Sequence, residues 1–257
     1  MANDLLSSRM PPPALNAPLS PFPSPACGGG ALRASPRDRH TEMQAHRAEL
    51  EAVLRLGEAL GLEQGLPYVR HWSAAPDFLA LLVEHLRRER PAVIVECGSG
   101  LSTLILARVC ALEGRGRVWS LEHEPGCAAQ TRDAIARYGL ARVATVLHAP
   151  LRRYRLDAEN YDWYDLRGLP EQAIELLVVD GPPGRLAPLA RYPALPLLRA
   201  RLAPGCTIFL DDANRPDERA IVARWCAEYP AFELGRPATA RGCAVLRAQP
   251  AVASEAL

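Results

Sequence analysis

Five carboxylates standing at the ends of apolar runs are the residues of this chain best placed to do chemistry. Val93-Ile-Val95 leads into Glu96, Val118-Trp-Ser-Leu121 into Glu122, Leu176-Leu-Val-Val179 into Asp180, and Thr207-Ile-Phe-Leu210 into Asp211 and Asp212. A short run rich in Val, Ile and Leu, without polar alternation, is the pattern of an interior strand in a parallel sheet covered on both faces. Parallel strands bring their carboxyl ends to one rim, so the four runs line up the five acids there. Carboxylates so placed can take a proton, accept from sugar hydroxyls or hold a hard cation such as Mg²⁺, Mn²⁺ or Ca²⁺. Any one of them alone reads equally well as a turn residue; four strand ends together point to a site.

The first run passes into a glycine turn. The strand is expected to end at Val95, and Glu96-Cys-Gly-Ser-Gly100 then joins it to a helix predicted from Leu101 to Leu112. Gly98 and Gly100 let the backbone turn sharply and approach a ligand closely. The helix start offers unpaired amides to whatever lies over the turn. In a doubly wound sheet that place, beyond the strand carboxyl ends where the strand order reverses, is where ligands bind. Glu122 falls about as far downstream as nucleotide-binding folds place an acid for ribose hydroxyls.

Taken in order, Glu96-Cys-Gly-Ser-Gly100, Ser120-Leu-Glu-His-Glu124, Val179-Asp-Gly-Pro-Pro-Gly184 and Leu210-Asp-Asp-Ala-Asn-Arg215 resemble the motifs of a class I S-adenosylmethionine-dependent methyltransferase. Trp163-Tyr-Asp165 and Arg191-Tyr-Pro-Ala-Leu195 add a likeness to a bacterial group that methylates small molecules or glycans on oxygen. The resemblance covers roughly Pro67 to Arg247. It implies an α/β fold with a doubly wound, mostly parallel seven-stranded sheet whose last strand is antiparallel, and S-adenosylmethionine as the cofactor. By that likeness Glu96, Gly98, Ser99, Gly100, Ser102 and Thr103 bind the cofactor, with Glu96, Gly98 and Gly100 at its methionine end. Glu122 holds the ribose with His123 beside it, the stretch around His148 and Ala149 lies beside the adenine, and Asp180 completes the set.

A pyridine dinucleotide enzyme is the competing reading. Its fingerprint asks for a third glycine and binds a pyrophosphate at the helix start, whereas Thr103 stands where that glycine would be. A sulfonium cofactor is cationic and suits a carboxylate such as Glu96. A protein that senses the same nucleoside without turnover also needs the glycine loop, but has no use for acids at Asp180, Asp211 and Asp212.

Methyl transfer depends above all on alignment, and a hydroxyl acceptor must also lose its proton. Asp180 and Asp211 are the candidate catalytic acids, and Asp180, Asp211 and Asp212 could together hold one Mg²⁺ or Mn²⁺. Catechol-type O-methyltransferases have a similar acid set but carry a lysine soon after the first acid. Here Gly181-Pro-Pro-Gly184 follows instead, and all 30 basic residues are Arg. Either a metal lowers the hydroxyl pKa largely by itself, or His148, His71 or His123 helps, with His148 the candidate. Tyr161, Trp163 and Tyr164 read as a platform for a sugar or phenol or as core anchors. Arg185, Arg191 and Arg215 suit a carboxylate or phosphate on the acceptor.

The elements that must position these groups follow from pattern. Residues 67–248 are expected to form the catalytic domain, with a helical cap at 41–66, in which Leu50, Val53, Leu54 and Leu60 face inward, and tails at 1–40 and 249–257. Eight of the 24 prolines lie between Pro11 and Pro36, a composition that does not order itself, and Met43 is an alternative start. Pro76 to Leu86 should be an amphipathic helix with Phe78, Leu79, Leu82, Val83 and Leu86 inward. Helices follow at about Pro193 to Leu202 and Asp217 to Glu228, with terminal strands near Phe232 and at Cys243 to Leu246. A net charge of +1 argues against a nucleic-acid partner; Arg152, Arg153 and Arg155 read as a solvated loop or a contact for an acidic substrate. Seven cysteines without metal spacing suggest reduced thiols and a cytoplasmic protein; Cys97 reads as a small turn residue or a nucleophile. No run reaches the ~20 apolar residues of a membrane span. The oligomeric state is open, a homo-oligomer included.

Overall fold

The computed structural model describes residues 36–62, 66–69 and 72–248. Residues 1–35 of the expected first tail, the expected tail at 249–257, and His71 lie outside the described residues. The chain divides into two units, Met1–Thr41 and Glu42–Leu257, and the second holds the sheet.

Seven strands form that sheet: β1 (Val93–Cys97), β2 (Arg117–Glu122), β3 (Ala144–His148), β6 (Ile174–Val179), β7 (Leu202–Asp211), β8 (Phe232–Gly235) and β9 (Cys243–Ala248). Their order is β3-β2-β1-β6-β7-β9-β8. The pairs from β3 to β7 are parallel, and β9 runs antiparallel to both its neighbours. The last strand is thus the antiparallel one, as expected, and lies inside the edge strand β8. The chain leaves β1 toward β2 and β3, then returns to place β6 on the other side of β1. That reversal opens the crevice beyond the carboxyl ends of β1 and β6.

The apolar runs are explained by a core on each face. Neighbouring residues in a strand point to opposite sides: Ile94, Leu176, Val178 and Phe209 enter one core, Val95, Leu177, Val179, Ile208 and Leu210 the other. The first core is closed by α1 (Pro36–Ala59), α2 (Pro76–Glu89), α3 (Leu101–Glu113) and α4 (Pro125–Arg137). Phe78, Leu79, Leu82, Val83 and Leu86 of α2 are all buried, as the spacing predicts. In α1 the inward stripe is narrower than expected. Val53 within the helix and Leu60 just past its end are buried, with Leu56 between them, but Leu50 and Leu54 are exposed. The second core is closed by α5 (Ala194–Leu198), α6 (Pro216–Glu228) and an antiparallel hairpin of β4 (Leu151–Leu156) and β5 (Glu159–Tyr164).

Three expectations need correction. β1 runs on to Cys97, so Glu96 is a strand residue rather than part of the turn. The helix expected from Pro193 to Leu202 is only Ala194–Leu198 with a single tighter turn at Arg199–Arg201, since β7 already starts at Leu202. The basic segment at 152–155 is a strand, and its charges are matched from across or just beyond the hairpin: Arg152 meets Asp165 at 2.8 Å and Arg153 meets Asp162 at 2.6 Å. It is not a loop, and of its three arginines only Arg155 lacks a carboxylate partner among the described residues, donating instead to Asp157 O.

Leu82 has no exposed surface. Leu82→Ala should lower the unfolding free energy by about 2–5 kcal/mol, read by urea denaturation; a loss below about 1 kcal/mol would mean that α2 is not anchored in this core.

Candidate functional site

The site is built on two turns that touch at the crevice. After Cys97 the chain turns at Gly98, whose φ of 95° is costly for any residue with a side chain. A Cβ there would also come within 3.2 Å of Gly181 N, in the turn after β6. Gly181 is constrained in its turn by Tyr164, because a Cβ on it would collide with the Tyr164 hydroxyl. Glycine at both places lets the two loops close on each other.

Glu96, fully buried, braces the glycine turn from beneath. Thr103 Oγ1 donates to Glu96 Oε2 at 2.5 Å and accepts from Gly100 N at 3.0 Å. Thr103 therefore fills, with a hydroxyl, the place where a dinucleotide loop has its third glycine. Burial pushes the Glu96 carboxyl up to about 7, against hydrogen bonds to Ser102, Thr103 and Ser120. Its Oε1 is buried and unpartnered.

Glu122, at the end of β2, accepts from Ser99 N at 3.0 Å, Ser99 Oγ at 3.1 Å and Glu124 N at 2.9 Å. His123 Nδ1 lies 3.0 Å from its Oε1. Burial alone would raise this carboxyl, but His123 and the Glu124 and Ser99 amides outweigh it and hold it ionised below its ordinary range. Ala149 N donates to Glu122 O at 2.7 Å. Glu96, Gly98, Ser99, Gly100, Ser102, Thr103, Glu122, His123 and Ala149 are thus gathered around the carboxyl ends of β1 and β2.

A second cluster stands at the ends of β6 and β7. Asp180, Asp211 and Asp212 each place a carboxylate oxygen within 4.8 Å of the others. Arg191, 3% exposed, lies among them. It donates to Asp180 O at 2.7 Å, Asp180 Oδ1 at 3.2 Å, Asp212 Oδ2 at 3.2 Å and Asp211 O at 3.0 Å, and it faces Glu218 at 3.7 Å. Arg215 pairs with Asp212 at 2.8 Å. Four carboxylates therefore face two guanidinium groups, a surplus of two negative charges when all are ionised. Burial pushes Asp180 and Asp211 well above the usual carboxylate range; Arg191 opposes this, while their mutual repulsion and Asp212 add to it. Asp211 Oδ2 and Asp212 Oδ1 are buried without a partner. A surplus of two charges with two idle oxygens fits one divalent cation.

His148 is not brought to these acids. It sits on the outer strand β3, opposite Glu122 and three strands from Asp180, about 14 Å away at the usual strand spacing. Arg191 and Arg215 are spent on the acids rather than free for an acceptor. Tyr161, Trp163 and Tyr164 are buried core anchors, not a platform. Cys97 is inert as a nucleophile because burial pushes its thiol far above the ordinary range. Sequence reasoning named Tyr164 but did not place its hydroxyl, buried without a partner against Gly181. The bare Gly181 next to Asp180 was the signal available. Over the acids opens a cavity of about 470 Å³ lined by Trp72, Asp180, Arg185, Arg191, Asp212 and Arg215 among others.

Residues 95–213 match the family model of a methyltransferase domain, and they include both turns and all five acids. Over these residues the chain carries a methyltransferase domain. No curated protein matches it. Solved structures share the fold of this methyltransferase at low identity. Cofactor-bound Rv0187 from MTB is 20% identical with a TM-score of 0.53, the alignment covering 85% of this chain and 99% of that one. The O-methyltransferase from Bacillus cereus in complex with SAH is 18% identical with a TM-score of 0.51, covering 78% and 90%. The O-methyltransferase TomG from Streptomyces achromogenes, involved in tomaymycin synthesis and solved with SAM, is 16% identical with a TM-score of 0.51, covering 77% and 90%. Among the described residues, no helix of the methyltransferase is long and apolar enough to cross a membrane.

Glu96 makes the ligand-free methyltransferase sensitive to pH. Its folded carboxyl holds a proton up to about 7, against 4.5 ordinarily, so its contribution is full below the unfolded value and is lost as pH rises through 7. A glutamine amide at this position keeps the Thr103 bond and has no proton to lose. In urea denaturation of ligand-free protein, Glu96→Gln should gain roughly 3 kcal/mol on the wild type between pH 5 and 8; parallel profiles would remove this account of Glu96.

Proposed function

We propose that the protein transfers the methyl group of S-adenosylmethionine to a hydroxyl oxygen of a small molecule or a glycan. The observation that carries this reading is the position of Asp180. It is the first residue beyond β6, its turn touches the glycine turn of β1, and it opens into the cavity over the acids. The O-methyltransferase names of the solved neighbours, two of them with SAM or SAH bound, support it.

The residues around the glycine turn fit the donor. An unpartnered Glu96 oxygen and a buried Tyr164 hydroxyl are available to its polar groups, and Glu122, held ionised, suits ribose hydroxyls. S-adenosylmethionine brings a methyl carbon already activated on sulfur. The acceptor oxygen forms the new bond to that carbon, the carbon–sulfur pair returns to sulfur, and Asp180 takes the hydroxyl proton. Burial has raised the proton affinity of Asp180, so it accepts one more readily than an exposed aspartate. Asp211 and Asp212 keep Asp180 near Arg191 and, with it, would hold a divalent cation such as Mg²⁺ or Mn²⁺, which lowers the pKa of a nearby hydroxyl. The reaction needs no lysine.

In this reading residues 67–248 are the catalytic domain and 41–66 a cap, with 1–40 and 249–257 outside it. The six described cysteines are free, in keeping with a cytoplasmic setting.

Incubation with labelled donor and a panel of phenols and glycans, with and without Mg²⁺ or Mn²⁺, tests the activity. Asp180→Asn and Asp211→Asn should each lower the rate about 10²–10⁴-fold while calorimetry finds S-adenosylhomocysteine binding within about threefold of wild type. Full activity in both variants would take these acids out of the chemistry.

A further inference from the structure

Four arginines line the cavity over the acids: Arg185, Arg191, Arg215 and Arg241. Three are already committed. Arg191 is buried among Asp180, Asp212 and Glu218. Arg215 pairs with Asp212 at 2.8 Å. Arg241 pairs with Glu49 at 2.9 Å and donates to Ser73 O at 3.0 Å.

Arg185 differs from the other three. Its guanidinium carbon lies 4.4 Å over the ring of Trp72, and among the described residues it has no carboxylate partner. Trp72 is itself 49% exposed, an unusual amount for the largest apolar side chain. A cation resting on an aromatic face is partly desolvated but keeps its donors, a state suited to bidentate capture of an oxyanion. The cavity is also polarised in depth. Asp180, Asp212 and Glu218 are deep, the last two almost fully buried, and only the half-buried Asp217 lies shallower, whereas the Trp72 and Arg185 pair stands at the exposed side with Arg215. Charge therefore changes sign from floor to mouth.

Resting on the proposed methyl transfer, we propose that the acceptor is an anionic hydroxy compound, with its hydroxyl at Asp180 and an oxyanion, carboxylate or phosphate, held by Arg185 at the Trp72 wall. A molecule of this polarity is oriented before any contact forms, because the acidic floor repels its anionic end and the mouth attracts it. A neutral acceptor would leave the Arg185 donors without a charged partner. The reading narrows the acceptor within the hydroxyl class and depends on one arginine of the three that the sequence singled out.

The test is calorimetry on the full chain saturated with S-adenosylhomocysteine, a first titration that stands alone. Absence of heat in that step removes the donor reading itself, whatever follows. The second titration compares matched probes: 3,4-dihydroxybenzoate with catechol, glucuronate with glucose, and glucose 6-phosphate with glucose. At least one anion should bind tenfold or more tightly than its neutral partner, and the pair that responds tells carboxylate from phosphate. Arg185→Gln should bring that pair within about twofold, with S-adenosylhomocysteine affinity as the control for folding, and Trp72→Leu should weaken the anion without equalising the pair. Anions that bind no tighter than their neutral partners, heat from none of the probes, or a preference that survives Arg185→Gln would each overturn the proposal.

Discussion

The constraint on which the site depends is buried negative charge. Parallel strands of a doubly wound sheet deliver their carboxyl ends to one edge, and here two of those ends carry Asp180, Asp211 and Asp212 within 4.8 Å of one another. Like charges so close in a medium of low polarity cannot all stay ionised without compensation. Arg191 supplies part of it, reaching the ends of β6 and β7 and the first turn of α6 with one planar group. The compensation is incomplete, and the remaining surplus is what the proposed roles of Asp180 as a base and of the cluster as a cation site rest on. A residue removed from the centre of such a network leaves charges that neither water nor protein can satisfy.

The second constraint is steric. In the proposed reaction donor and acceptor meet at the reversal of strand order between β1 and β6, where the turns after those strands pass close together. Gly98 and Gly181 allow that approach jointly, each lacking the side chain that would strike the other loop or Tyr164. Glu96 and Thr103 then hold the first turn from below through a single hydroxyl. Positioning of this kind is the main contribution a protein makes when the transferred group arrives activated.

Much of the site was legible because strand ends are marked by composition. Apolar runs covered on both faces mark where a strand lies, and the acid at each run's end marks its carboxyl end to within a residue or two, as Glu96 inside β1 shows. The hairpin at 151–164 was not legible, since Arg152, Arg153 and Arg155 in a row suggest solvent until Asp162 and Asp165 are seen across and beyond the turn. The helix before β7 was overextended for a related reason: Leu197, Leu198 and Leu202 satisfy helical spacing, but Leu202 is already paired with Ile174 in the sheet. Tyr161, Trp163 and Tyr164 offered polar tips that fit either a ligand or a core, and only packing against α5 and α6 decided for the core.

Local sequence determined the apolar strands of the sheet centre, the five acids at one rim, the glycine turns and the absence of lysine from the chemistry. These are properties of short windows, where periodicity, side-chain branching and backbone freedom act without reference to the rest of the chain. The fate of each charge was decided by tertiary structure alone. Arg185, Arg191 and Arg215 look alike along the chain, yet one lies on an exposed tryptophan, one is buried among four acids and one is tied to Asp212. Electrostatic energy depends on distance and on the polarity of the surroundings, and both are set by which strands become neighbours, not by position along the chain.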